Sequence, residues 1–439
     1  MPFEHRSPHP PPDGGRLTRR RLVALAALAA AAPLGAGWRP GVAGAEPDED
    51  EAYQAAFEAE LDKDPDVRRH RRDGEEFLYR PRQLLVAYAD AGRVITWLRA
   101  QGHRVAPKRR FAGVVRLEFD REVEVPELVA RLRDPETWPR DRVPAVQPHH
   151  VVLGFGNIMG SPGAPPKPES VLAPPDKTRL GEGAGVVVGV CDTGIWADAA
   201  NHHPDWLGGC YLPEPDDEDA VYAYADVLAL QGGHGTFAAG VVRQAAPGVS
   251  LDPEQALGPN GIGDEESVVD AIGRLVDPSV VNLSLGCFTQ DDLPPMPVAG
   301  AIAALPPTTV VVAAAGNTGV DRPVWPAALP DVVAVAAAKP AGDEQVPIPA
   351  PYSAFGPWVD ATAVGARTST YVSGRLLLPN LPPRVFGGLA GWAGTSFAAA
   401  HVSGRLAALM TRAKVDAPTA RAMLLAGPTW APGYGVFVP

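Results

Sequence analysis

The chain has 439 residues, a net charge of −12, 46% hydrophobic residues and 21% charged residues. That length leaves room for more than one domain, and the hydrophobic fraction is enough for a packed core. The acidic balance excludes nucleic acid as the main partner, because phosphate binding needs a basic face. Three cysteines (Cys191, Cys210 and Cys287) are too few for a disulfide scaffold and lack zinc-ligand spacing. One bridge with one free thiol fits this count, and so do three unpaired, buried cysteines.

Residues 1–45 read as an export signal. Arg19-Arg20-Arg21 precede the apolar run Leu22 to Ala32, and Ala43-Gly44-Ala45 offers a small-residue cleavage site. The run is too short to span a bilayer, which needs about 20 apolar residues. The paired arginines resemble the twin-arginine signal. No later segment is apolar enough to serve as an anchor, so a secreted protein is expected.

Residues 46–75 are charged and poor in pattern, the composition of a mobile lead-in. Residues 76–155 then read as a compact unit. Gln83 to Tyr88 and Gly113 to Phe119 have strand character, and Asp90 to Gln101 has a helical face with Val94, Trp97 and Leu98. A weak strand near Val105, a short helix after Pro126 and an extended stretch from Val146 to Leu153 complete a β-α-β-β-α-β order, as in a ferredoxin-like α+β sandwich. Residues 156–180 are a linker rich in Pro, Gly and Ser.

From 181 to 439, short apolar runs alternate with helical patterns. The runs are Val186 to Cys191, Val280 to Leu285, Thr309 to Ala315 and Val332 to Ala337. The helical patterns are His234 to Gln244, Glu265 to Val276, Val298 to Leu305 and Thr395 to Met410. This alternation predicts an α/β fold with a doubly wound, mostly parallel sheet. In such folds active residues gather at the carboxyl ends of strands and the first turns of helices. Three segments occupy such places: Asp192-Thr193-Gly194-Ile195, His234-Gly235-Thr236 and Gly394-Thr395-Ser396-Phe397-Ala398. A serine needs a neighbouring base to act as a nucleophile, and an imidazole needs a carboxylate to hold its tautomer.

These motifs, in the order Asp, His, Ser, resemble the subtilisin-like (subtilase, S8) serine peptidases. His203-Pro204-Asp205, Ala239-Gly240 and His401-Val402-Ser403-Gly404 extend the likeness over roughly residues 180 to 425. The resemblance implies Asp192, His234 and Ser396 as the catalytic residues. Asn317, after Ala313-Ala314-Ala315-Gly316, would be the oxyanion donor together with the Ser396 N–H. It also implies that Ser284, Leu285 and Gly286 face Ala314 and Gly316 across the substrate cleft, pairing with an extended peptide. Their small, uncharged side chains predict a pocket for Phe, Tyr, Leu or Met before the scissile bond.

In this family the place of 76–155 is that of an intramolecular chaperone and inhibitor, so the expected partners are peptide substrates and the chain's own pro-domain, with the enzyme a monomer. No cofactor is required for the chemistry. Calcium is compatible with the family, but no family ligand can be carried over; the acidic run Asp216 to Asp219 reads as a solvated loop. Phe237, Ala400 and Val364 depart from the family pattern without removing a reacting group. The alternative is a catalytically silent subtilase-fold module that binds peptides.

Overall fold

The computed structural model describes residues 49–72, 74–139, 142–154, 164–340 and 346–439. The expected signal segment and the linker residues 156–163 lie outside these. Among the described residues no helix is long and apolar enough to cross a membrane.

The first element departs from the sequence expectation. Residues 46–75, expected to be a patternless lead-in, contain a helix, α1 (Glu49–Lys63). Tyr53, Phe57 and Leu61 recur every four residues, which places them on one helical face. Three acidic residues in the first turn and Lys63 in the last suit the helix dipole. Tyr53 and Phe57 are fully buried. The Tyr53 hydroxyl donates to the Leu230 carbonyl (2.7 Å) and accepts from Gln231 Nε2 (2.9 Å). Glu49 pairs with Arg384 (2.7 Å), and Asn260 donates to Glu60 (3.2 Å). A short strand, β1 (Arg68–Arg72), then pairs with β2 (Glu75–Ala87).

From β2 the elements run in β-α-β-β-α-β order: α2 (Ala91–Ala100), β3 (Val105–Phe111), β4 (Val114–Phe119), α3 (Val125–Arg133) and β5 (Val146–Gly154). The four strands β2 to β5 pair antiparallel in the order β5-β2-β4-β3. Leu84, Val86, Leu117 and Phe119 share one core with Val94, Leu98, Val129 and Leu132 of the two helices.

The second unit is built on a parallel sheet. Its parallel strands are β6 (Val187–Asp192), β7 (Ser250–Gln255), β9 (Val280–Leu283), β11 (Val310–Ala314), β12 (Val332–Lys339), β13 (Ala361–Val364) and β16 (Val436–Phe437), in the order β7-β6-β9-β11-β12-β13-β16, and Ile348–Pro349 pairs antiparallel with the end of β12. Every residue of β9 and β11 is buried, as strands covered on both faces require. The unit's helices include α4 (His234–Ala245), α5 (Glu265–Arg274), α6 (Met296–Ala303) and α7 (Thr395–Ala413). A hairpin, β14 (Ala366–Leu376) and β15 (Arg384–Ala393), precedes α7. Because β6 has β7 on one side and β9 on the other, its carboxyl end is the switch point of the sheet, where a crevice opens.

The two units share β5. Two short strands of the second unit, β8 (Ile262–Asp264) and β10 (Leu285–Gly286), both pair antiparallel with it. Around this seam the first unit supplies cations and the second anions. Arg80 meets Asp264 (3.0 Å), Arg109 meets Asp270 (2.6 Å), Arg116 meets Glu266 (3.0 Å) and Arg133 meets Asp291 (2.6 Å). Arg109–Asp270 and Arg133–Asp291 keep part of their solvent contact, so each adds at most about 1 kcal/mol. At the centre Glu265, fully buried, accepts from Gln147 Nε2, from the His150 N–H (3.0 Å) and from His150 Nδ1 (2.6 Å). Gln147 Oε1 accepts from the Met296 N–H at the start of α6 (2.8 Å).

The anchoring of α1 is testable. Tyr53→Phe keeps the ring but leaves the Leu230 carbonyl and Gln231 amide without their buried partner. We expect a loss of about 1–3 kcal/mol in the denaturant-unfolding free energy; an unchanged midpoint would show that these bonds contribute nothing.

Candidate active site

Asp192 is the last residue of β6, and His234 is the first of α4. Both side chains are buried, and His234 Nδ1 lies 2.7 Å from Asp192 Oδ1. The same carboxylate oxygen accepts from the Thr193 N–H (2.7 Å). Glycines make this closeness sterically feasible. Gly194 has a φ of +91°, and a Cβ there would lie 2.3 Å from the Asp217 carbonyl oxygen. A Cβ on Gly235 would lie 2.0 Å from the Gly194 carbonyl oxygen.

Ser396 is the second residue of α7, where a backbone N–H has no acceptor within the helix and the dipole is positive. Among the described residues its Oγ makes one long hydrogen bond, to the Ser284 carbonyl (3.5 Å), and none to His234. The next residue, Phe397, stacks at a tilt beside the imidazole with ring centres 5.1 Å apart. The start of α7 is tied to β9 by a buried chain. Ser403 Oγ donates to Asn282 Oδ1 (3.1 Å), Asn282 Nδ2 to Ser284 Oγ (2.9 Å), and Ser284 Oγ to the Ser396 carbonyl (3.0 Å).

Asn317 is also buried. Its Oδ1 accepts from both the N–H and the Oγ1 of Thr395, each at 3.0 Å. The oxygen end of the amide is thereby fixed toward α7, and the orientation of the Nδ2 end follows from that. Gly316 N–H donates to Thr395 Oγ1 (3.1 Å). Ser284, Leu285 and Ala314 are fully buried around the same cleft. Leu285 stands opposite Gly154, and Gly286 opposite Leu153. The wall predicted to pair with a peptide therefore pairs with β5 of the same chain. On the other flank, Lys167–Pro168 pairs antiparallel with Ala390 and Gly391 of β15, and Trp392 Nε1 donates to the Ala164 carbonyl (2.9 Å).

Several features were not readable from sequence. Trp392 packs edge-on against His234 (5.2 Å), and Phe237 packs against both Phe397 (4.3 Å) and Trp392 (5.9 Å). Phe237, a departure from the family pattern, thus belongs to an aromatic wall behind the imidazole. The acidic run is not wholly solvated, because Asp217 and Asp219 are buried. All three cysteines are free and buried, and burial pushes the Cys191 and Cys287 thiols well up. His203 Nε2 meets the Tyr371 carbonyl (2.7 Å).

A doubly wound sheet with this Asp–His pair at its switch point and a serine on a helix N-terminus defines a hydrolase-like arrangement, and the comparisons with known proteins agree. The subtilase family model (peptidase S8) matches residues 183–426. The chain belongs to the subtilase family. It is 32% identical over 240 residues to a thermophilic serine proteinase of Bacillus sp. strain AK1, covering 52% of each chain. It is 30% identical over 264 residues to the major intracellular serine protease of Bacillus subtilis strain 168, covering 55% of this chain and 74% of the relative. It is also 30% identical over 257 residues to subtilisin Savinase of Lederbergia lenta, covering 54% and 80%. The chain spans about half the length of the first of these relatives. In fold it is similar to fervidolysin from Fervidobacterium pennivorans, a keratinolytic enzyme related to subtilisin. That likeness has a TM-score of 0.57 and 21% identity, over 86% of this chain and 63% of the other.

The close approach of the first two motifs is open to test. Gly235→Ala would drive a methyl group into the Gly194 carbonyl and is expected to lower stability by about 1–3 kcal/mol. A thermal melt superimposable on the parent's would contradict the contact.

Proposed function

We propose that this chain is a serine endopeptidase, exported as a precursor whose N-terminal region, 46–155, holds it inactive until it is cut. The observation that carries the reading is β5. It lies as an added strand between β8 and β10 and ends at Gly154, opposite Leu285, the residue after Ser284, whose carbonyl accepts from Ser396 Oγ. An extended substrate would bind by the same strand addition, so the chain presents its own backbone to the site. It is held on both flanks, at Gly154 and at Ala164, and the bond cut in processing lies between these two positions.

In the reaction, Ser396 Oγ attacks the scissile carbonyl carbon while His234 Nε2 takes its proton. Asp192 accepts from Nδ1, keeps the tautomer and stabilises the imidazolium. The carbonyl oxygen becomes an oxyanion that receives hydrogen bonds from the Asn317 amide and the Ser396 N–H. Collapse breaks the C–N bond, and His234 returns the proton to the leaving amine. Water then gives its proton to His234, attacks the acyl ester and releases the acid, and Ser396 recovers its proton. The 3.5 Å bond from Ser396 Oγ to the Ser284 carbonyl is weak, so rotating the hydroxyl toward His234 costs little. Small, uncharged residues at Ser284–Gly286 and Ala313–Gly316 favour a large apolar side chain before the cut. Arg19-Arg20-Arg21 and Ala43-Gly44-Ala45 support export.

Two measurements test this. Intact mass and N-terminal sequencing of the parent should show a new N-terminus between residues 155 and 164, and Ser396→Ala should keep the longer chain; identical N-termini would rule out self-processing. The processed form, given a complex peptide mixture, should cut mainly after Phe, Tyr, Leu or Met. A profile dominated by Arg or Asp would overturn the pocket assignment.

A further inference from the structure

The fold divides the acidic run Asp216–Asp219. Asp216 and Glu218 are exposed, whereas Asp217 and Asp219 are buried at 4% and 2% exposure. Pro215–Asp217 form a 3-10 turn, and the chain becomes extended at Glu218, which bridges Ile195 in the turn that follows Asp192. The Ile195 N–H donates to the Asp217 carbonyl (2.7 Å), and the Asp219 N–H donates to the Ile195 carbonyl (2.9 Å). Exposed Glu218 is held by this bridge, and the Asp219 side chain that follows it is buried.

There Asp219 Oδ2 accepts two hydrogen bonds, from Thr193 Oγ1 and from the Gly233 N–H, both at 2.7 Å. Thr193 is the residue after Asp192, and Gly233 is the residue before His234. Thr193 Oγ1 also accepts from the Gly235 N–H (3.1 Å). One oxygen therefore ties the backbone on both sides of the 2.7 Å bond between the Asp192 and His234 side chains. The other oxygen, Oδ1, is buried and has no hydrogen-bond partner among the described residues.

We propose that Asp219 is a positioning residue for the reaction: it clamps the turn after Asp192 to the turn before His234, and in its ionised form it places a second negative charge behind the imidazole. This rests on the peptidase reading. Burial pushes the Asp219 carboxyl up to about 7, and Asp192 adds to the rise; the bonds from Thr193 and Gly233 and the charge of His234 oppose it. The titratable groups facing Asp219 are Asp192, His234 and the Tyr371 phenol. Its neighbour Asp217, pushed up to about 6 by burial, faces instead toward Glu214, Asp252, Glu254 and Arg274. The clamp thus changes charge near neutrality, the range in which a catalytic imidazole works. Gaining negative charge there favours the imidazolium that forms as Ser396 gives up its proton.

Two variants separate the clamp from the charge. Asp219→Asn retains an oxygen for Thr193 and Gly233 but removes the charge; Asp219→Ala removes both. Both would be compared with the parent, after self-processing of the full chain, on a peptide p-nitroanilide carrying Phe before the cut. Thermal melts would confirm the fold. In Asp219→Asn the acid limb of kcat/KM should move about 0.5–1 pH unit lower, because the imidazole loses a favourable charge. In Asp219→Ala, kcat should fall about tenfold or more with KM within about twofold, the mark of an interaction that matters in the transition state. An Asp219→Asn profile superimposable on the parent's, or an Asp219→Ala kcat within about twofold of it, would overturn the role while leaving the peptidase reading intact. A processed parent that hydrolyses no peptide would overturn the peptidase reading itself, and this role with it.

Discussion

Everything near the site depends on one hydrogen bond, the 2.7 Å contact between Asp192 and His234. Both groups are almost completely removed from water. An ionisable pair in such a place costs several kcal/mol per charge unless its lone pairs and protons are met elsewhere. The surroundings meet them. The Thr193 N–H serves the shared Asp192 oxygen, the switch point of the sheet brings β6 and α4 together, and glycines at 194 and 235 remove the side chains that would keep them apart. Aromatic rings of Trp392 and Phe397 pack against the imidazole, and Phe237 packs behind both of them.

The same crevice receives β5, and this links the two units. The contact is specific because its parts differ in kind. Backbone pairing on both edges of β5 sets the register. Glu265 supplies buried acceptors that Gln147 and His150 fill, and arginines on one unit face carboxylates on the other. The helix α1 adds a further attachment, through Tyr53, at Leu230 and Gln231, three to four residues before His234. Attachment so close to His234 is what the proposed inhibitory role of this region requires.

Much of this was legible in the sequence, for physical reasons. Short Val/Ala runs between turn signals suit strands buried on both faces, and the Asp, His and Ser motifs sit at strand ends and helix starts, where their glycines and small residues are required. The helix α1 was not legible. Its three large apolar residues are diluted among charges, so composition outweighed a true four-residue spacing. The β14–β15 hairpin escaped because polar residues dilute the hydrophobic signal of β14 and glycines break the pattern of β15. The acidic run misled for a related reason. Four adjacent carboxylates suggest solvent, but the 3-10 turn at Pro215–Asp217 and the bridge of Glu218 to Ile195 bury Asp217 and Asp219, and no local pattern reveals that. The Glu265–His150 contact joins residues far apart in sequence, and no local pattern announces it.

The most direct test of the central claim, that Asp192, His234 and Ser396 form a working acyl-transfer site, is labelling with a fluorophosphonate serine probe followed by mass spectrometry of the processed chain. The account predicts one adduct per chain, on Ser396, and none in a His234→Ala variant. A processed chain that remains unlabelled at Ser396 would contradict it.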